Sequence, residues 1–436
     1  ESGAADREFL AEYACEVDEF AERAAAWSFD TAAEVAGVDP AVIAELAERY
    51  VTAEPAVVRC GWGLERNRNG GSAVAAVLAL SAVAGKFGVR GGGYTMSNAK
   101  AWNLDASIAA AEDEVLTRVI NMNKTGEVLL SSAPPVKGLF IYNCNPLATL
   151  PAQDKVRRGL MREDLFTVVF DQVMTDTARY ADVVLPATTF LERPELARSY
   201  GAYTLQRCKA VLDPVGESRS NHEVFATLCE LSGLARPDDP VGEDEIINTI
   251  LGDEPRGEEM RGALSEKGIS FPRFGANPIQ FVDVFPGTAD GKIHLVSGEL
   301  DSEAAQRGGL YFYEGDPASE LYPIALISPA HKLTVSSTFG QLRRTLVPVE
   351  VHPEDAVARG IEEGARVRVF NENTEVHCVA TINSSMRAGV AYIPKGTWDH
   401  NTLSGNTANA LVPDSLTDIA GGACFNDTRV QIAVTE

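Results

Sequence analysis

Three loops carry side chains suited to a dinucleotide: Gly61–Gly71, Asn143–Asn145 and Asp171–Thr177. Each combines small residues with hydrogen-bonding side chains. Each follows a short apolar run that reads as a strand, and ligands of open α/β sheets gather at the carboxyl ends of strands. Main-chain N–H groups at a helix start can cradle a pyrophosphate. A carboxylate such as Asp171 can accept from guanine N1–H and the exocyclic amine, or from ribose hydroxyls. The competing reading of each loop is an ordinary turn or helix cap. A fourth polar loop, Ser336-Ser337-Thr338, follows a later strand, and Asn371-Glu372-Asn373 forms a turn. Near the end, Trp398, Asn406, Asn409, Asp418 and Asn426 stand in a segment with little regular pattern. Asparagines there suit turns, or a polar ligand groove.

Nucleophilic and metal chemistry find less support. The six histidines show no HExxH, and the seven cysteines no CxxC, so the chain alone offers no metal site by spacing. An odd, scattered cysteine set suits a reducing compartment. His331 draws attention because it and Lys332 follow the strand Ile324–Ile327. His222 reads as flanking a helix and His352 as anchoring a turn. Cys60 and Cys144 sit at strand ends, where a thiolate could matter. The expected reading of both is a buried, inert thiol.

The elements that must position these residues alternate. Residues 1–58 read as helices, with Asp39-Pro40 opening one. Strand, glycine loop and helix follow over Ala56–Cys60, Gly61–Gly71 and Val74–Ala84. The pattern recurs in strand Gly138–Tyr142, helix Gln153–Leu160, strand Leu165–Phe170 and strand Ala181–Leu185. Such alternation predicts a parallel sheet covered on both faces. A helix is expected over 213–235. Residues 236–320, rich in Asp, Glu, Gly and Pro, read as a surface connection with little core. From about 321 short strands take over, predicting a closed β-barrel. The expected division is 1–130, 131–235, a connecting segment 236–320, and the barrel 321–436.

Composition sets outer bounds. Lys+Arg number 38 against Asp+Glu 62, a net charge of -24, and such a surface repels a phosphate backbone. General nucleic-acid binding is therefore not expected. The longest apolar stretch, Ala73–Gly85, falls short of the roughly 18 residues a membrane span needs. The first residue is Glu1, and the sequence opens directly into helix-like pattern. The expectation is a piece of a longer protein.

Taken in order, four stretches resemble the C-terminal part of molybdopterin oxidoreductases of the dimethyl sulfoxide reductase superfamily. The first is Gly61-Trp62-Gly63-Leu64-Glu65-Arg66-Asn67-Arg68-Asn69-Gly70-Gly71 with Gly91-Gly92-Gly93. The second runs from Tyr142-Asn143-Cys144-Asn145-Pro146 through Asp171 and Thr175-Asp176-Thr177-Ala178 to Ala181-Asp182-Val183-Val184-Leu185-Pro186. The third is Gly216-Glu217 with Ser220-Asn221-His222-Glu223-Val224-Phe225. The fourth is Ser336-Ser337-Thr338-Phe339, His352-Pro353-Glu354-Asp355-Ala356, Arg359-Gly360-Ile361, Asn371 and Asn409 to Asp418. Each is weak alone, but their shared order over nearly the whole chain is specific.

The resemblance implies an α/β fold with Rossmann-like parallel-sheet layers and a C-terminal double-psi β-barrel. It implies bis(molybdopterin guanine dinucleotide) carrying molybdenum or tungsten. By resemblance, Gly61 and Leu64 lie beside one pterin, and Asn143 and Asn145 contact pterin or pyrophosphate. Asp171 and Thr175 form the guanosine clamp, and Arg193 and Asn221 add nucleotide contacts. Asn221 stands where many members have aspartate, which leaves the charge of that contact open. Ser336, Ser337 and Thr338 form the barrel's phosphate or pterin loop, Lys332 pairs with the anionic cofactor, and Trp398, Asn409 and Asn426 wrap the second nucleotide. Arg66 and Arg68 would stand near the substrate funnel, with a surface salt bridge as the competing reading. The metal-ligating residue and a [4Fe–4S] cluster would lie in an N-terminal half of the subunit, upstream. The other implied partners are an electron-transfer subunit and a small-molecule substrate. A cytoplasmic location is expected, with a periplasmic one open. The reaction implied is two-electron redox or oxygen-atom transfer. The alternative is a cofactor-free scaffold of the same fold, as in the large iron–sulfur subunit of respiratory complex I.

Overall fold

The computed structural model describes residues 3–98, 101, 102, 104, 117–252, 255–332, 334–343 and 345–435. Helices Arg7–Tyr13, Val17–Ala24, Phe29–Ala36 and Pro40–Thr52 open the chain. The last begins where expected: the Asp39 side chain accepts from the Ala41 N–H at 2.8 Å, and Pro40 takes the first helical position, where a missing N–H costs nothing. Strand β1 (Val57–Arg59) then pairs in parallel with β2 (Gly93–Thr95).

Between them runs helix Gly70–Val83. It starts four residues before the apolar run suggests. The reason lies in the distant Asp418, whose two oxygens accept from Gly71 N at 2.8 Å and Ser72 N at 3.0 Å. A carboxylate on orphan N–H groups stabilises a helix start by about 0.5–2 kcal/mol. Asp418→Ala is expected to lower stability by about 1–2 kcal/mol, read as a shift of the urea midpoint. An unchanged midpoint would remove the cap from the account.

The central sheet is β3 (Gly138–Tyr142), β4 (Phe166–Asp171) and β5 (Val183–Pro186), all parallel, with Phe140 opposite Val168 and Val168 opposite Val183. Apolar side chains on both faces require two covers. On one face helix Gln153–Leu160 turns Val156 and Leu160 inward, into a cluster with Ile141, Leu147 and Val169. Helix Thr125–Ser131 packs closely behind it, since a Cβ on Gly159 would lie 2.6 Å from Leu129 Cβ. On the other face helix Asn221–Leu231 sets Val224 and Leu228 against Phe170 and Leu185.

That last helix is shorter than the span 213–235 expected. Ser220 and Glu223 form a reciprocal cap, Glu223 N to Ser220 Oγ at 3.2 Å and Ser220 N to Glu223 Oε2 at 2.8 Å, which fixes the start at Asn221. The segment 236–320 also differs from expectation. Helices Glu243–Leu251 and Pro255–Lys267 bury Ile247, Leu251, Met260 and Leu264 with Trp102 and Leu205. Acidic composition on the outer faces masked an inward stripe. The strands Leu205–Cys208 and Ile269–Ser270 tie this core to the region before it.

The C-terminal region closes into a six-stranded barrel of β6 (Ile324–Ile327), β7 (Pro348–Val351), β8 (Arg366–Phe370), β9 (Glu375–Ile382), β10 (Val390–Tyr392) and β11 (Arg429–Val434), in the order β6-β10-β7-β9-β8-β11. The pairs β6–β10 and β7–β9 are parallel and the rest antiparallel. Every second residue points inward, so Val376, Cys378 and Ala380 of β9 meet Val349, Val367 and Ile432 in a fully buried interior. This mixed barrel matches the double-psi expectation. Among the described residues, no helix is long and apolar enough to cross a membrane.

Candidate functional site

The carboxyl ends of β3 and β4 open toward the barrel, and a cleft of about 500 Å³ lies between them. The sheet side contributes Asn143, Asn145, Asp171, Thr175 and Arg193. The barrel side contributes Ser336, Ser337, Thr338 and Trp398. Nine residues singled out from sequence thus meet at one place, although up to 255 positions separate them in the chain (398 − 143).

Each wall has a local cause. Asn143 turns the chain out of β3 with φ +54°, a left-handed conformation that asparagine tolerates. Asn145 then caps a short helical turn beginning at Pro146. Its Oδ1 accepts from Thr177 Oγ1 at 2.7 Å and from Thr177 N at 3.3 Å. That fixes the amide, yet its Nδ2 has no partner although the residue is only 3% exposed. A buried donor left unmade costs about 1–3 kcal/mol, and the residue that carries it lines the cleft.

Asp171 ends β4. One oxygen accepts from Gln172 N at 2.7 Å, and among the described residues no cation forms an ion pair with the carboxylate. Burial pushes its pKa up, against the backbone N–H groups of Gln172 and Val173 that pull it down. Thr175 is buried, and its Oγ1 accepts from Ala178 N at 3.0 Å. Arg193 lies 3.6 Å from Glu195 Oε1, a loose pair that leaves its charge available to the cleft.

The barrel wall is a strained loop. Ser336, Ser337 and Phe339 have φ of +49°, +70° and +61°. Non-glycine residues there cost about 1–2 kcal/mol each and cluster at ligand clamps. Trp398 holds the loop from behind: its Nε1 donates to the Ser337 carbonyl at 3.0 Å. The approach is close, since a Cβ on Gly340 would overlap that indole.

Other expected residues lie elsewhere. Gly61 and Leu64 are exposed and outside the cleft. Asn426 serves their loop, donating from Nδ2 to the Gly63 carbonyl at 3.0 Å. Asn409 is buried and donates to the Ala148 carbonyl at 3.1 Å, a tie between barrel and sheet layer. Asn406 accepts from Arg157 Nη1 at 2.9 Å. Four side chains of the terminal segment, Asn406, Asn409, Asp418 and Asn426, thus fasten chain segments together, and Trp398 is the one member that lines the cleft. Asn221 begins its helix and does not reach the cleft, and Lys332 is exposed and outside it. Arg68 bonds Asp427 at 2.8 Å and Glu314 at 3.1 Å, which is the salt-bridge reading. Arg66 donates to the Trp62 carbonyl and stacks over Phe425 at 5.2 Å.

Cys144 corrects an expectation: it is exposed and lines the cleft. The surrounding walls and then Asp171 push its thiol pKa up, so it stays protonated near neutrality. Cys60 is buried, as expected. Gln172, Phe339 and Gln341 also line the cleft. Gln172 falls inside the loop Asp171–Thr177 and Phe339 closes the stretch Ser336–Phe339, while nothing in the sequence marked Gln341.

Comparisons with known proteins identify the family. Residues 19–231 match the family described as molybdopterin oxidoreductase, and residues 330–429 match the molybdopterin dinucleotide binding domain. The chain belongs to the molybdopterin oxidoreductase family, in the dimethyl sulfoxide reductase superfamily. Members with similar sequence include the probable oxidoreductase YoaE of Bacillus subtilis, 32% identical over 98% of this chain and 64% of that protein. Another is the dimethyl sulfoxide/trimethylamine N-oxide reductase of Cereibacter sphaeroides, 27% identical over 84% of this chain and 52% of the relative. The chain therefore spans roughly half to two thirds of the length of these relatives. In fold it is similar to acetylene hydratase from Pelobacter acetylenicus, with a TM-score of 0.79 at 19% identity over 99% of this chain and 68% of that one. The two matched segments of the family flank the cleft, one supplying the sheet wall and the other the barrel wall.

Proposed function

We propose that this chain is the dinucleotide-cradling part of a bis(molybdopterin guanine dinucleotide) oxidoreductase acting on a small substrate by two-electron redox or oxygen-atom transfer. The observation that carries the reading is the donor-and-acceptor set of the cleft. Asn145, whose buried amine has no partner, and the acceptor Asp171 line the same cleft as three hydroxyl residues of a strained loop. An apolar ligand would leave that set unsatisfied. The guanine end of a pterin dinucleotide fits it.

When bound, the metal–pterin group supplies the two-electron chemistry. The protein's part is binding and orientation. Asp171 accepts from the guanine N1–H and amine. The Asn145 amine donates to a phosphate or pterin oxygen. Ser336, Ser337 and Thr338 offer hydroxyl and main-chain donors to the phosphates, and Arg193 adds a positive charge. Trp398 keeps that loop in place while the walls exclude water. Gly61, Leu64 and Asn426, which share one loop contact away from this cleft, are the residues proposed for the second dinucleotide.

The names of several relatives make S-oxides and N-oxides the first acceptors to try. The test uses the complete native subunit under anaerobic conditions with reduced viologen as donor. Dye oxidation that requires one small acceptor, and disappears when cofactor insertion is blocked, is the expected outcome. Cofactor-loaded protein that turns over neither oxides, oxyanions nor formate would sink the oxidoreductase reading.

A further inference from the structure

Two carboxylates, Asp176 buried and Asp399 half-buried, meet at the seam between the sheet layer and the barrel, each with one oxygen that finds no donor. Asp176 follows Thr175 in the loop after β4, and Asp399 follows Trp398. Asp176 Oδ2 accepts from the Asp399 N–H at 2.7 Å. Its other oxygen, Oδ1, is buried with no partner, in a residue only 2% exposed. Asp399 Oδ1 is also buried and unpartnered, while its Oδ2 takes Arg179 Nη1 at 3.3 Å.

His400 is the third member. Its Nε2 lies 2.8 Å from the Arg343 carbonyl oxygen. A carbonyl can only accept, so the proton belongs on Nε2, and in the neutral ring Nδ1 then presents a lone pair. Metal-bound histidines are held in this way by their second nitrogen. Nδ1 stands 3.6 Å from Asp399 Oδ1. One ligand atom from each of Asp176, Asp399 and His400 lies within 4.8 Å of the others.

We propose that this cluster is a divalent-cation site of the zinc or manganese class, riveting the sheet layer to the barrel. Two carboxylates and an imidazole favour a borderline d-block ion over calcium or magnesium, which take all-oxygen shells. Zinc binds imidazole nitrogen and carboxylate oxygen at about 2.0–2.2 Å, which sets tetrahedral ligand atoms about 3.4 Å apart. The 3.6 Å between His400 Nδ1 and Asp399 Oδ1 matches that spacing. Asp176 also borders a cavity of about 340 Å³ with Gln153 and Tyr180, which leaves room for a water as fourth ligand. Arg157, on the same cavity, is committed to Asn406 Oδ1 and the Gly405 carbonyl, and Arg179 covers only the outer oxygen of Asp399. The cation would act one residue from Thr175 and one from Trp398, on opposite walls of the cleft. It would fix the width of the cleft without touching its contents. The assignment stands on these three side chains and does not depend on the function proposed above.

The test is zinc binding by equilibrium dialysis and thermal unfolding of the complete subunit, in chelator-washed buffer with zinc or manganese added back. The protein is expected to retain stoichiometric metal and to gain several degrees in Tm. Asp176→Asn and His400→Ala should each lose both responses. His294→Ala, in the exposed Cys15–Asp290–His294 group, should keep them. Asp176→Asn is nearly isosteric, so its unfolding in chelator shows that the fold persists, and His400→Ala gives a second reading if it does not. A Tm that follows pH and ignores both metals would mean that a shared proton occupies the pair, and would overturn the site. An Asp176→Asn variant with the wild-type metal response would overturn it equally.

Discussion

Asp171→Asn leaves the protein folded and nearly free of guanine nucleotide. The carboxylate offers acceptors only, and guanine presents N1–H and an amine as donors. An amide in its place turns one acceptor into an N–H, so one guanine donor faces another. Hydrogen bonds to a charged group are worth about 1.5–3 kcal/mol each. Losing one lowers affinity by roughly 10–10²-fold, and the opposed donors lower it further. The readout is guanosine monophosphate released per chain after acid hydrolysis. Retention at the wild-type level would take Asp171 out of the clamp.

The same residue sets a pH dependence. Burial raises the Asp171 pKa in the empty cleft, so the folded protein holds this proton more tightly than the unfolded chain. A carboxyl raised in this way contributes less stability as pH rises from its unfolded value through its folded value. Asparagine removes that penalty, and the empty variant should be at least as stable as the wild type near neutrality. Dinucleotide binding has the opposite sign: it needs the carboxylate and weakens as pH falls through the raised pKa. Nucleotide loss with an unchanged or higher Tm separates a binding role from a folding role.

Gly396→Ala should unfasten the barrel wall. Gly396 has φ +71°, and an added Cβ would lie 2.5 Å from Ser337 N and 2.6 Å from the Thr334 carbonyl oxygen. Both neighbours are backbone, so no side chain can swing away. The left-handed conformation alone costs alanine about 1–2 kcal/mol. Displacing the Thr334–Ser337 segment brings the total above about 3 kcal/mol, in the range of severe single substitutions. The urea midpoint should fall and the bound nucleotide should drop, because Ser336 and Ser337 lose their positions. A normal midpoint with full nucleotide would contradict the close approach on which the barrel wall is argued.

Local signals carried most of the fold into the sequence. The barrel strands announce themselves because every second residue is apolar, as in Val376, Cys378 and Ala380. Helix Gln153–Leu160 and strand Gly138–Tyr142 fall where period and turn residues place them. What escaped was long-range. The early start of helix Gly70–Val83 depends on Asp418, more than 300 residues away. The core formed by Ile247, Leu251, Met260 and Leu264 hides under an acidic exterior.

The site divides along the same line. Asn143, Asn145, Asp171 and Thr175 were legible because they stand at strand ends, where topology alone makes a cleft. Resemblance joined them to Ser336–Thr338, across a distance that periodicity cannot bridge. An asparagine that binds a ligand and one that ties two segments look alike in sequence, and the bond of Asn409 to the Ala148 carbonyl is visible only in the structure. Cys144 read as an inert core thiol because cysteine is so often buried, while the left-handed turn at Asn143 carries the next side chain to the cleft.

The most direct measurement is the metal and nucleotide content of the native protein, isolated with whatever further part of the subunit accompanies this chain. Elemental analysis for molybdenum and tungsten would be paired with released guanosine monophosphate. The account predicts about two guanine nucleotides per metal, as a bis-dinucleotide cofactor requires. Matured protein with neither metal nor guanosine monophosphate would contradict the cradle, and would leave the same fold as a cofactor-free scaffold.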